Sequence, residues 1–169
     1  RYTDGKYSFV GSPVQQGVNL TGQTLGPIVY QYNEETPFGN DGLARWEDAA
    51  LVELIPGKGY AQANQQLIEF TGTPNSGTIV YSGTYTQDTD DSNEGWNMVA
   101  NPYPAALKTA DFLTENVSNT TGALYLWDDN GSDVGRGSNN DYITVNISGA
   151  TDNNPANGNI ESRYNQYIG

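Results

Sequence analysis

The chain has 169 residues, no cysteine and no histidine, and seven basic against twenty acidic side chains, for a formal net charge of -13. It is long enough for one domain with a core of its own, and too acidic to favour nucleic acid, whose phosphates need cationic partners. The missing residue types exclude thiol nucleophiles, triads built on histidine or cysteine, and ordinary zinc sites.

Abundant Gly, Asn, Thr and Tyr with few helix signals predict short strands joined by many turns, hence an all-β antiparallel sandwich of jelly-roll type with at most one short helix. No apolar run reaches membrane-spanning length. The chain opens at Arg1-Tyr2-Thr3-Asp4-Gly5 in mid-strand style, as expected of a piece cut from a larger multidomain protein. Residues 6–14 read as a first strand ending at Pro13, and 27–33 as a second with Val29 on one face and Tyr30 and Tyr32 on the other. Around Trp46, residues 43–50 suit a short strand or one helical turn. Residues 51–55 form a further strand, broken by Pro56-Gly57-Lys58-Gly59 before Tyr60-Ala61-Gln62 resumes it. A hairpin is expected from 66–71 and 77–85 around Thr73-Pro74-Asn75-Ser76, with Ile79 and Tyr81 facing one way and Val80 and Ser82 the other. Residues 105–116 are the best helix, with Thr109 as its N-cap. Strands at 122–128, 141–147 and 160–168 complete the chain. Asn-x-Ser/Thr triplets at Asn19, Asn116, Asn119 and Asn146 read as surface loops.

The organising stretch is Gly95-Trp96-Asn97-Met98-Val99-Ala100-Asn101-Pro102-Tyr103-Pro104, a strand with Trp96, Met98 and Ala100 on a buried face, stopped by two prolines. Tyr7-Ser8-Phe9-Val10-Gly11-Ser12-Pro13 repeats its plan: Trp96 minus Tyr7 and Pro102 minus Pro13 both give 89. Tyr125 minus Tyr30 and Trp127 minus Tyr32 both give 95. The expectation is one pseudo-duplicated domain over 1–169, with half-repeats near 1–72 and 77–169.

The organising stretch resembles the GWNLVGNPYPS signature of a β-sandwich module in large secreted and surface proteins of the Bacteroidota. Phe9-Val10-Gly11-Ser12-Pro13-Val14, Pro56-Gly57-Lys58-Gly59-Tyr60 and Phe70-Thr71-Gly72-Thr73-Pro74-Asn75-Ser76-Gly77 stand in that family's order. Ala100 replaces the usual glycine, and the closing strand resembling GQGFFV is missing after Tyr167-Ile168-Gly169. The resemblance implies a module that precedes a sorting domain for type IX secretion, and so an extracellular or outer-surface address; it implies no general ligand.

For catalysis there remain carboxylates, with Glu34, Glu35, Asp41, Glu47, Asp48 and Glu53 in number and no pair singled out. Two acidic loops have the hard oxygen groups that calcium takes: Asp88, Asp90, Asp91, Asn93 and Glu94 in one, Asp128, Asn130, Ser132 and Asp133 in the other. An acidic turn at a strand end explains each loop equally. Among the aromatics, Tyr30, Tyr32, Tyr125 and Trp127 are expected mostly in the core, and Trp46, Tyr85, Tyr103 and Tyr142 are the candidate sugar-stacking rings. The reading is a non-catalytic extracellular module for adhesion or glycan binding, partnered by a glycan, a surface protein or neighbouring domains, with no membrane insertion. A spacer or assembly module is the first alternative and a carboxylate glycosidase the second.

Overall fold

The computed structural model describes residues 7–15, 18–19, 28–37, 43–49, 53–63, 69–87, 94–127, 142–152 and 167–168. The fold is all-β: every strand pairing described is antiparallel, and one short α-helix accompanies the strands. The chain divides into two compact units, Arg1–Pro104 and Ala105–Gly169. Among the described residues no helix is long and apolar enough to cross a membrane.

In the first unit a four-stranded sheet runs β1 (Ser8–Val10), β6 (Tyr60–Ala63), β3 (Ile28–Tyr32), β4 (Trp46–Asp48), and a smaller one pairs β2 (Val18–Asn19) with β5 (Glu53–Leu54). Residues 43–50 resolve the ambiguity of the sequence by doing both things in turn: a 3-10 turn at Leu43–Arg45 leads directly into β4. Alternation gives the sheet two unlike faces. On one, Val29, Ala49 and Tyr60 pack with Leu54 into a fully buried cluster joined by Val10 and Phe70. The Tyr60 hydroxyl accepts from the Ile55 N–H at 3.0 Å, which lets a phenol sit inside that core. On the other face, register aligns Phe9, Ala61, Tyr30 and Asp48 across the four strands, and Tyr32 with Trp46.

The proline and glycine motifs converge on this sheet. The Gly59 N–H donates to Met98 O at 2.8 Å and the Ala100 N–H to Gly57 O at 3.0 Å, so residues 98–100 lie along the turn at 57–59. A Cβ on Gly59 would stand 2.8 Å from Met98 Cγ, so only glycine admits that approach. Likewise a Cβ on Gly11 would collide with that of Ala100, the residue it matches in the 89-residue echo. The buried Asn75 then ties both proline turns, donating from Nδ2 to Ser12 O at 3.2 Å and to Pro102 O at 2.7 Å.

Two expectations are corrected here. Residues 95–101 are not a strand with one well-buried face: their ladder is a single bridge between Val99 and Lys58, and Trp96 is 44% exposed. The segment is held by its backbone bonds to the glycine turn at 57–59. Of the expected hairpin around Thr73-Pro74-Asn75-Ser76, residues 66–68 of the first arm lie outside the described residues; residues 77–85 of the second arm form no assigned strand, and the turn itself pairs with the first proline motif. Pro74 bridges Val14, the Asn75 N–H donates to Pro13 O, and the Gln15 N–H to Thr73 O.

The second unit carries β7 (Leu107–Lys108) paired with β11 (Tyr167–Ile168), the helix α1 (Thr109–Glu115), and a sheet ordered β10 (Gly149–Asp152), β9 (Tyr142–Asn146), β8 (Ala123–Trp127). Ile143 and Val145 form its core with Leu126 and Ala150 against them, and Leu113 is the buried apolar residue of the helix. Thr109 is not the N-cap. Extended Lys108 takes that position without a side-chain capping bond, and Thr109 becomes the first helical residue, its Oγ1 buried with no partner among the described residues. At the other end Asn116 caps twice, its N–H and Nδ2 both donating to Phe112 O. The part of the expected last strand before Tyr167 lies outside the described residues.

Candidate functional site

The first unit holds a polar cleft of about 230 Å³. It is lined by Gln31 and Tyr32 at the end of β3, by Asn33, Glu34 and Glu35 that follow them, by Lys58 of the glycine turn, and by Tyr81, Thr84 and Asn97. The chain leaves β3 at Asn33, whose Oδ1 accepts from the Glu35 N–H at 3.0 Å in an Asx turn, with Glu34 buried and Glu35 exposed.

Glu34 is committed to the fold. Its Oε2 accepts from Arg45 Nη1 at 3.0 Å with both side chains 2% exposed. Its Oε1 accepts from the Gly95 N–H at 2.7 Å and from Thr86 Oγ1 at 2.9 Å. Arg45 Nε donates to Thr36 O at 2.8 Å. The buried charges are thus paired and hydrogen-bonded, as burial demands, and one carboxylate fixes three chain segments. Asn97 does similar work with a neutral group: its Oδ1 accepts from the Thr84 N–H at 2.9 Å and its Nδ2 donates to Thr84 O at 2.8 Å, a carboxamide standing in for a strand partner.

Beside them runs a charged chain. Lys58 Nζ donates to Gln31 Oε1 at 2.8 Å, and Gln31 Nε2 donates to Glu47 Oε2 at 3.3 Å. Glu47 Oε1 accepts from Asn33 Nδ2 and from Thr36 Oγ1, each at 2.8 Å. The Asn33 and Thr36 bonds, helped by Gln31 and the Lys58 charge, hold the Glu47 carboxyl below the ordinary glutamate value of 4.5. Desolvation lowers the Lys58 ammonium in spite of Glu47, and it raises the Tyr81 phenol. Among the described residues the Tyr81 hydroxyl has no hydrogen-bond partner, and two of the three Lys58 donors have none. These groups, with the exposed Glu35, are what the cleft offers a ligand.

Rings surround the same sheet. Tyr7 lies 6.1 Å from Tyr30, and Tyr32 meets Trp46 edge-on at 5.4 Å. With Phe9 they make an aromatic row on the face opposite the core, where Tyr7 and Phe9 are 40% and 39% exposed. Tyr32 belongs both to this row and to the cleft.

The structure does not bring the sequence-derived candidates together. Trp46 is half-buried on Tyr32, Tyr103 is half-buried with its hydroxyl donating to Gly77 O at 2.6 Å, and Tyr142 packs edge-on against Trp127 at 5.1 Å in the second unit. Tyr85 is well exposed, and its hydrogen bond to Glu94 raises its phenol. Of the four rings expected mostly in the core, Tyr30, Tyr32 and Trp127 are half-buried and Tyr125 is exposed. Asp88, Asp90, Asp91, Asn93, Asp128, Asn130, Ser132 and Asp133 lie outside the described residues. Glu94 is described, with Oε1 buried and unpartnered, and among the described residues no cluster of three acidic side chains gathers around it or elsewhere. Sequence reasoning passed over Gln31, Lys58, Tyr81, Thr84 and Asn97. The one available signal was Lys58, a lone cation framed by glycines in a strongly acidic chain.

Residues 1–168 match the family described as a domain of unknown function, DUF8693. The chain belongs to this family. No curated protein and no solved structure matches it. The DUF8693 match spans both compact units, so the cleft, the aromatic row and the sheet of the second unit all fall within the family domain.

Proposed function

We propose that this DUF8693 domain is a non-catalytic β-sandwich module of an exported bacterial surface protein that binds a glycan along the aromatic row and into the polar cleft. The observation that carries this reading is the row of Phe9, Tyr7, Tyr30, Tyr32 and Trp46 ending at a cleft that offers the Tyr81 hydroxyl, the exposed Glu35 carboxylate and a Lys58 ammonium with one of its donors on Gln31. Rings take the apolar faces of sugars, and convergent donors and acceptors hold their hydroxyls. Two of the carboxylates at or beside the cleft are poor candidates for the general acid of a glycosidase. Glu34 is locked by Arg45 and two backbone segments, and Glu47 ionises more readily than usual, whereas a general acid needs its carboxyl raised. The likeness of the organising stretch to a type IX secretion module supports the outer surface as the address. A spacer role is the second reading, favoured because the motif residues Gly11, Gly59 and Asn75 are used for internal ties.

The test is a glycan array with the purified domain, run with calcium and with chelator, and repeated with Tyr81→Phe and Lys58→Met. The expected result is selective binding weakened by both substitutions. Loss on chelation assigns calcium to the Asp88 or Asp128 loop, and indifference to chelation leaves the cleft acting alone. No binding in any condition overturns the glycan reading in favour of the spacer.

A further inference from the structure

The segment after Gly77 has the side-chain period of a strand, and among the described residues no strand pairs with it. Ile79 and Tyr81 are half-buried while Val80 and Ser82 are exposed, Val80 to 81%. Ile79 and Tyr81 both lie over Gly57: a Cβ there would stand 3.0 Å from Tyr81 Cβ and 3.7 Å from Ile79 Cγ2, which places residues i and i+2 on one side as in an extended chain. Among the described residues no hydrogen bond reaches the backbone of 78–83, and pairing begins only at Thr84, through the Asn97 carboxamide. A row of unpaired N–H and C=O groups on an extended chain is a template for another strand, and folds normally blunt such a row with charge or proline. Here residues 77–87 contain neither a charged side chain nor a proline.

The sequence of the segment selects its own occupant. In Thr78-Ile79-Val80-Tyr81-Ser82 the outer positions are hydroxyls, the next are large and apolar, and valine is central. An antiparallel pairing about a two-fold axis through Val80 sets Val80 opposite Val80, Ile79 opposite Tyr81 and Thr78 opposite Ser82. Body-facing residues then meet body-facing ones and exposed residues meet exposed ones, as shared faces require. Each pair is of a kind that stabilises a sheet. Two copies that each carry a net charge of -13 would also meet on a strip free of charge. We propose that residues 78–82 are a dimerisation edge at which two copies of this chain pair antiparallel, strand to strand. This goes beyond the glycan reading and does not depend on it. One short strand pair buries little surface, so the dimer is weak and set by concentration.

Sedimentation velocity over about a hundredfold range of concentration tests it. The weight-average mass should rise from the 18.3 kDa of the monomer towards twice that value, with backbone amide exchange at 78–82 slowing in step. Val80→Lys brings two ammonium groups face to face on the axis and should hold the protein at the monomer mass throughout. Val80→Thr keeps a β-branched side chain and should still dimerise. Because Val80 is a surface residue, both variants should keep the parent melting temperature. A constant monomer mass for the parent overturns the proposal, and so does a Val80→Lys variant that dimerises undiminished.

Discussion

Two hairpins of this molecule share a plan and differ in what they surround. In the first unit β3 ends on Tyr32, which faces Trp46 of β4 with ring centroids 5.4 Å apart at 76°; in the second β8 ends on Trp127, which faces Tyr142 of β9 at 5.1 Å and 75°. One register step inward the likeness stops. That position is held by Gln31 and Glu47 in the first hairpin and by Leu126 and Ile143 in the second. The polar pair borders a cleft and carries the hydrogen-bond chain from Lys58, whereas the apolar pair belongs to a core. Similar aromatic pins thus hold the strand ends together, and the chemistry of the next pair decides whether the space beside the hairpin is filled or left open.

The comparison is broken most severely at the ion pair behind the cleft. Arg45→Met leaves the Glu34 carboxylate buried without its charge partner, and urea unfolding should show a loss of about 3–5 kcal/mol. Next come the matched positions themselves. Ile143→Ala should cost about 2–4 kcal/mol through lost burial and a cavity, while Glu47→Ala, in a polar and largely open site, should cost under about 1 kcal/mol. Equal losses would show that the two hairpins serve the same purpose. The Glu47 contribution also has a pH signature. Its carboxyl is lowered in the folded state, so its stabilisation is complete above the ordinary value of 4.5 and is shed as pH falls through the folded value. Glu47→Gln should remove that acid limb from a plot of stability against pH. The smallest effect should come from the pins: double-mutant cycles on Tyr32 with Trp46 and on Trp127 with Tyr142 should give couplings of about 0.5–1.5 kcal/mol, alike in the two hairpins.

The hairpin strands were legible because alternation and aromatic endpoints are local, and the 95-residue offset between Tyr30 and Tyr125 and between Tyr32 and Trp127 falls on matching positions of the two hairpins; that Trp46 and Tyr142 are the rings they meet was not read from it. The turn at Pro56-Gly57-Lys58-Gly59 and the short helix were legible for the same reason. The cleft was not. It depends on Glu34 reaching Arg45, Thr86 and Gly95, partners up to 61 positions away, and no periodicity encodes such a distance. The alternation of residues 95–101 misled for a related reason. Period two reports an extended chain and does not say whether a second layer covers it, so Trp96 read as core although it is exposed. Thr109 read as a cap from residue type alone, but the strand β7 continues to Lys108 and moves the cap one position earlier.

Asn75 has a consequence for the order of events in folding. Its carboxamide joins Ser12, 63 positions upstream, to Pro102, 27 positions downstream, so neither proline turn is fixed until residues from the beginning, middle and end of the first unit have met. Closing loops of that length costs chain entropy before any contact repays it, and folds dominated by such contacts form slowly. The second unit faces no such wait in its sheet, where β8, β9 and β10 pair in the order in which they occur along the chain. A nascent chain would therefore carry the first unit unlocked until Pro102 has been made, with the prolines and glycines of its motifs already shaped for a closure that comes last.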